Sequence, residues 1–174
     1  MIILLIVVLA ALAALLGVAA GRPKTFTVKR RALIAAAPEA IFPLLEDFHC
    51  WAGWSPWADL DPEMKTTFGG AARGVGATYA WEGDKTVGAG RMEITEARGP
   101  EKLALDLTML RPFPASNRVE FHLVQLDDGV QTAWVMTGAQ PFMMRLMGLF
   151  MNMDRMVGRD FEKGLARLKA LAER

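Results

Sequence analysis

Of the 174 residues 52% are apolar, and 20 Lys or Arg nearly balance 19 Asp or Glu, for a formal net charge of +1. That balance excludes the broad basic footprint of a nucleic-acid-binding protein. Cys50 is the single cysteine, which excludes an intramolecular disulfide and a multi-cysteine metal site.

From Ile2 to Ala20 the side chains are Ile, Leu, Val and Ala with one Gly, and none is charged or polar. As a helix this run measures roughly 28 Å at about 1.5 Å per residue, close to the ~30 Å hydrocarbon core of a bilayer. A buried helix of a soluble core would normally show a polar face, and this run has none. The competing reading is a cleaved signal peptide, with Val18-Ala19-Ala20 as a passable cleavage site and an exported domain as the consequence. No Lys or Arg precedes the run, however, and it exceeds the roughly 7–15 residue apolar region of a signal peptide. The expectation is an uncleaved transmembrane anchor over residues 1–21 and a single domain over 22–174, large enough to bury its own core. Arg22, Lys24, Lys29, Arg30 and Arg31 follow at once. By the positive-inside rule they place the domain on the cytoplasmic side of a single-pass protein.

Phe26 to Ile34 reads as a strand whose alternation is blurred by Arg30 and Arg31. Pro38-Glu39 opens a short helix through Asp47, with proline at an early position where its missing N–H costs little. His49 to Asp61 is irregular or a second short helix and carries Trp51, Trp54 and Trp57. The period then becomes two. Successive strands are marked by Met64, Thr66 and Phe68; by Ala77, Tyr79 and Trp81; by Met92 and Ile94; and by Leu103, Leu105, Leu107 and Met109. Two more follow, with Val119, Phe121 and Leu123 and then Trp134 and Met136, joined by a hairpin at Asp127-Asp128-Gly129. Such alternation marks an antiparallel sheet with one covered face. After Pro141 the period returns to 3.6. Leu146, Phe150, Met153, Val157, Phe161, Leu165 and Leu168 predict one long amphipathic helix of about eight turns. The order is α+β, and only this last helix is long enough to cover the sheet.

Catalytic candidates are few. His122 alternates with Arg118 and Glu120 and so faces water. His49 and Cys50 are adjacent and point apart, without a second His or Cys nearby to complete a metal or nucleophile site. Gly74-x-Gly76 and Gly88-x-Gly90 lack the βαβ unit of a dinucleotide fingerprint and read as bends in a curved sheet. No catalytic residue, metal ligand or cofactor is expected. Met143, Met144, Met147, Met151, Met153 and Met156 crowd the start of the last helix. Flexible methionine suits both core filling and ligand contact.

Several strings resemble the START/Bet v 1-like (SRPBCC) superfamily, in its polyketide cyclase/dehydrase-like branch. They are Trp51-x-x-Trp54-Ser55-Pro56-Trp57, Gly74-Val75-Gly76-Ala77-x-Tyr79-x-Trp81, Gly90-x-Met92-Glu93-Ile94 and Pro112-Phe113. Further on come Trp134-x-Met136-x-Gly138 and Asp160-Phe161-Glu162-Lys163-Gly164-Leu165-x-x-Leu168-Lys169. No single string is specific; their order and spacing from Phe26 to the C-terminus carry the resemblance. It implies a helix-grip fold, a curved antiparallel sheet of about seven strands wrapped around the C-terminal helix, with an internal cavity for a lipid-like or other apolar small molecule. On that basis the expected lining is Tyr79, Trp81, Met92, Leu105, Phe121, Trp134 and Met136 from the sheet, with Met147 and Phe150 from the helix. Tyr79 Oη and the indole N–H groups of Trp81 and Trp134 are the polar handles. The expected function is binding at a membrane. The alternatives are an enzyme of the cyclase, dehydratase or hydrolase kind, or a tethered interaction module without ligand.

An intrinsic anchor predicts that the full-length protein stays in the membrane pellet through carbonate and high-salt washes. Release of the uncleaved chain, or a mature N-terminus mapped to Gly21, would contradict it.

Overall fold

Six successive segments with period two leave each strand one apolar face to bury, and those faces stay dry only if the strands share a sheet with a cover. The computed structural model describes residues 1–150 and 152–174. The strands are β1 (Thr25–Ile34), β2 (Lys65–Gly70), β3 (Ala77–Glu82), β4 (Ala89–Arg98), β5 (Lys102–Arg111), β6 (Ala115–Leu126) and β7 (Gly129–Ala139). The helices are α1 (Ile2–Gly21), α2 (Pro38–Glu46), a 3-10 helix (Phe48–Gly53), α3 (Phe142–Met147) and α4 (Met153–Ala172). All seven strands form one antiparallel sheet in the order β1-β7-β6-β5-β4-β3-β2. The α+β helix-grip arrangement is therefore present, with α4 laid across the inner face of the sheet on the β1 side.

One aromatic contact seats that helix. Phe161 of α4 stacks on Trp134 of β7 with ring centroids 4.1 Å apart and planes 7° from parallel. Phe121, Trp54 and Trp57 surround the Trp134 ring at 5.0, 5.4 and 5.9 Å. Gly164, one turn on, lets the helix approach, since a Cβ there would lie 2.7 Å from the same indole. Leu165 and Leu168 complete the buried stripe of α4.

The blurred alternation of β1 has a structural cause. Phe26, Val28, Arg30, Ala32 and Ile34 share the face turned toward α4, and Arg30 is the one charged residue on it. Its guanidinium occupies the space above Gly158, where any Cβ would collide with it. From there it pairs with Asp154 at 3.0 Å and Glu162 at 2.7 Å, one turn to either side of that glycine. In β4 a register shift between Ile94 and Glu96 transfers the inner side to Ala97, opposite Leu103. The alternation of β1 is therefore intact, with a paired arginine at one inward position, whereas that of β4 shifts face at its bulge.

The expected single C-terminal helix is interrupted. α3 ends at Gly148 and tightened turns follow, with Leu149 N–H donating to Leu146 O and Phe150 N–H to Met147 O. α4 then starts anew at Asn152, whose side chain accepts from Arg155 N–H at 3.0 Å. Asparagine is a strong N-cap residue, and here its cap outweighs an unbroken apolar period. Met151 lies outside the described residues.

Phe161→Ala removes the ring that seats α4 and is expected to cost about 3–5 kcal/mol, as large-to-small core changes do, measured by denaturant unfolding. Arg30 holds the Asp154 carboxyl below its usual range, first through the hydrogen bond and then through charge. A depressed carboxyl contributes stability above the unfolded value of about 3.9 and loses it as pH falls below that. Asp154→Asn is therefore expected to flatten the acid limb of stability against pH, by a small, solvent-screened amount. An unchanged limb would remove Asp154 from the account.

Candidate functional site

The nine expected lining residues fall in three separate places. Leu105, Phe121, Trp134 and Met136 are buried in the closed core. Aromatic rings fill the middle of the grip: Trp51 and Trp54 meet at 4.7 Å and both pack edge-on against Phe121, at 6.1 and 5.9 Å. The Trp51 indole donates to Leu45 O at 2.9 Å and that of Trp54 to Leu44 O at 3.0 Å, tying the 3-10 helix to the end of α2. The tryptophan-rich string is thus a plug for the core.

Tyr79, Trp81 and Met92 form the second group, half-buried on β3 and β4. Tyr79 stacks on Trp81 at 6.0 Å and leans on Phe48 and Phe68 at 5.7 and 5.4 Å. Trp81 lies over its cross-strand partner Gly90, where a Cβ would collide with the ring, so this glycine is a seat for an indole. The Trp81 N–H is already spent on Val87 O at 3.1 Å. Trp134 Nε1 is the reverse case, a buried donor without a hydrogen-bond partner among the described residues. Burial pushes the Tyr79 phenol up, so it stays a neutral hydroxyl.

Met147 and Phe150 belong to the third place, a half-open cleft of about 550 Å³ between β1, α3 and the first turn of α4. Phe26 and Val28 form one wall, and Met144, Leu149, Met153 and Met156 join Met147 and Phe150 on the other. Arg22, Gln140, Asn152 and Asp154 supply its polar groups. The volume lies within the range of about 300–1,000 Å³ typical of small-molecule sites, and the mix of apolar wall and a few polar groups is the usual one. Sequence reasoning missed Phe26, Val28 and Arg22 here; the methionine cluster was the signal that pointed to the other wall.

The titratable groups weighed earlier stand apart from this cleft. His49 Nδ1 lies 2.8 Å from Asp47 Oδ1 and its ring stacks on Phe68 at 4.2 Å. Asp47 also accepts from His49 N–H, capping the 3-10 helix. Burial raises the adjacent Cys50 thiol. His122 pairs with Glu120 at 3.3 Å on the outer face, where Lys102, Glu96, Arg118 and Asp106 form a lattice of ion pairs. Glu82 pairs with Arg111 at 3.0 Å across the β3 and β5 ends.

A curved antiparallel sheet gripping a C-terminal helix defines the START/Bet v 1-like class. Residues 25–173 match the profile of the polyketide cyclase/dehydrase and lipid transport family, and the chain belongs to that family. No curated protein sequence matches it. Solved structures share the fold. A protein from Chromobacterium violaceum is 17% identical over 88% of this chain and 99% of its own, with TM-score 0.61. One from Mesorhizobium loti is 21% identical over 84% and 96%, with TM-score 0.58. The di-domain ARO/CYC StfQ of the steffimycin biosynthetic pathway is 11% identical with TM-score 0.61, this chain covering 51% of its length.

Proposed function

We propose that the chain is a membrane-anchored binding protein for a lipid-like or other apolar small molecule, taken up in the cleft between β1, α3 and α4. The observation that carries this reading is where the cleft lies. Its methionine- and phenylalanine-rich wall includes Arg22, the first residue after α1, and α1 is a 20-residue helix long and apolar enough to cross a membrane. Molecules that partition into a bilayer would meet the cleft beside its surface. Family membership supports a ligand-binding domain, and the polar groups of the cleft favour binding over chemistry. Asp154 is engaged by Arg30, which leaves Arg22 as the other charged lining residue among those described. Flexible methionines let one wall adapt to ligands of different shape.

Full-length protein in detergent or nanodiscs, titrated with long-chain fatty acids and isoprenoid quinone analogues, is expected to bind at least one class saturably. Native mass spectrometry of the purified chain should show the same class co-purified. Met144→Lys places a charge in the apolar wall and should weaken binding at least about tenfold, the equivalent of 1.4 kcal/mol, while Trp81→Ala leaves it unchanged. Weakening by Trp81→Ala alone would move the site to the inner sheet face. No saturable binding by any apolar compound would favour an interaction module instead.

A further inference from the structure

Building on the anchored reading, we propose that the end of the sheet from which α1 departs is itself a membrane-docking surface, with α3 and the β5–β6 turn lying in the bilayer interface. The surface is specified by depth, by composition and by register.

Depth comes first. The 20 residues of α1 span about 30 Å, the thickness of the hydrocarbon core. Along α1, Leu15 and Ala19, one turn apart on one face, are the side chains withdrawn from solvent. α3 is the element packed against α1. It therefore runs beside the last two turns of the span, within about 10 Å of its end, which is the headgroup and acyl boundary. Three residues, Arg22, Pro23 and Lys24, separate α1 from β1, a reach of at most ~11 Å. The domain cannot stand far from the surface.

Composition fits that depth. α3 reads Phe-Met-Met-Arg-Leu-Met, apolar on every side but one. Its single charge is turned inward: Arg145 Nη1 donates to Ala20 O at 2.8 Å and Arg22 O at 3.3 Å, at the carbonyl end of α1. Outward it presents Met143, 63% exposed, beside the open mouth of the cleft, where Met147 is 46% and Phe150 78% exposed. A soluble surface gains nothing from such a cluster, whereas an interfacial helix with basic neighbours does. Arg22 and Lys24 supply the basic neighbours, suited to anionic headgroups.

Register brings a second apolar element to the same level. Phe26 of β1 is level with Gly138 of β7, and Gly138 with Asn117 of β6. Phe113 lies four residues before Asn117, as Arg22 lies four before Phe26. The β5–β6 turn thus reaches the height at which α1 ends and carries Phe113 at 70% exposure, with Leu110 at 54% beside it at the end of β5. The opposite end of the sheet carries the acidic Asp127-Asp128 hairpin.

The test uses the full chain, with Cys50→Ala as background, reconstituted in vesicles of phosphatidylcholine and phosphatidylglycerol. An environment-sensitive fluorophore is attached through Met143→Cys, Leu110→Cys, Phe113→Cys or, as a control, Asp127→Cys. The first three labels are expected to be blue-shifted, quenched by spin-labelled lipid and shielded from iodide, and the fourth to behave as in water. Circular dichroism of each variant confirms that the exposed substitutions leave the fold intact. If all four labels are equally open to iodide while the chain resists carbonate extraction, docking is refuted and the anchor stands. If carbonate releases the chain, the anchor and the docking fall together.

Discussion

The seat of α4 on Trp134 is the constraint on which the rest of the molecule depends. The sheet alone leaves a wide apolar face wet, at a cost of about 25 cal/mol per Å², and α4 is the long helix that covers it. Phe161 stacks flat on the indole, Gly164 removes the side chain that would hold the helix off, and Trp54, Trp57 and Phe121 close the ring's edges. Aromatic pairs of this kind contribute beyond the area they bury. The consequence is a filled centre. The larger open space lies beyond the reach of α4, beside its first turn.

That space is created by the break between α3 and α4. Were the C-terminal helix continuous, its first turns would extend along β1 toward the start of the strand. Gly148 ends one helix and Asn152 caps the next, so the chain steps aside and a cleft opens above Phe26 and Val28. Arg30 fixes the far side of the cleft. It ties β1 to the first turns of α4 through Asp154 and Glu162, with Gly158 making room between them. The ligand-sized space and the helix seat are therefore two results of one choice of helix boundary.

The apolar helix and the domain are also joined more closely than a flexible tether would require. Arg145 donates to the last carbonyls of α1, groups that no intrahelical N–H can satisfy. The same arginine is the one charge of α3, and its Nε is buried without a hydrogen-bond partner among the described residues. Orientation of the domain relative to α1 thus rests on a hydrogen-bonded contact and on the burial of Ala19.

Much of this was legible in the residues. Alternation in Leu103 to Met109 and Val119 to Leu123, turn chemistry at Asp127-Asp128-Gly129 and the late helical period specify seven strands and a covering helix, because side-chain periods of two and 3.6 are local geometry. The family strings added the grip. Local pattern could not say which apolar residues line open space and which meet each other. Phe121 alternates in the same way as Tyr79 and Met92, yet it is sealed by Trp51 and Trp54 from a segment about seventy residues away, a packing event that no period records. Arg30 blurs the alternation of β1 because its space is supplied by Gly158, distant in sequence. The methionine cluster was visible from the start; its meaning was decided by a helix break that an apolar period concealed, and by the return of the chain's last strand against β1, the first. Sequence determined the elements and their faces, since those follow from neighbours along the chain. Tertiary structure decided where the cover sits and what it leaves open, since that depends on which distant side chains compete for the same volume.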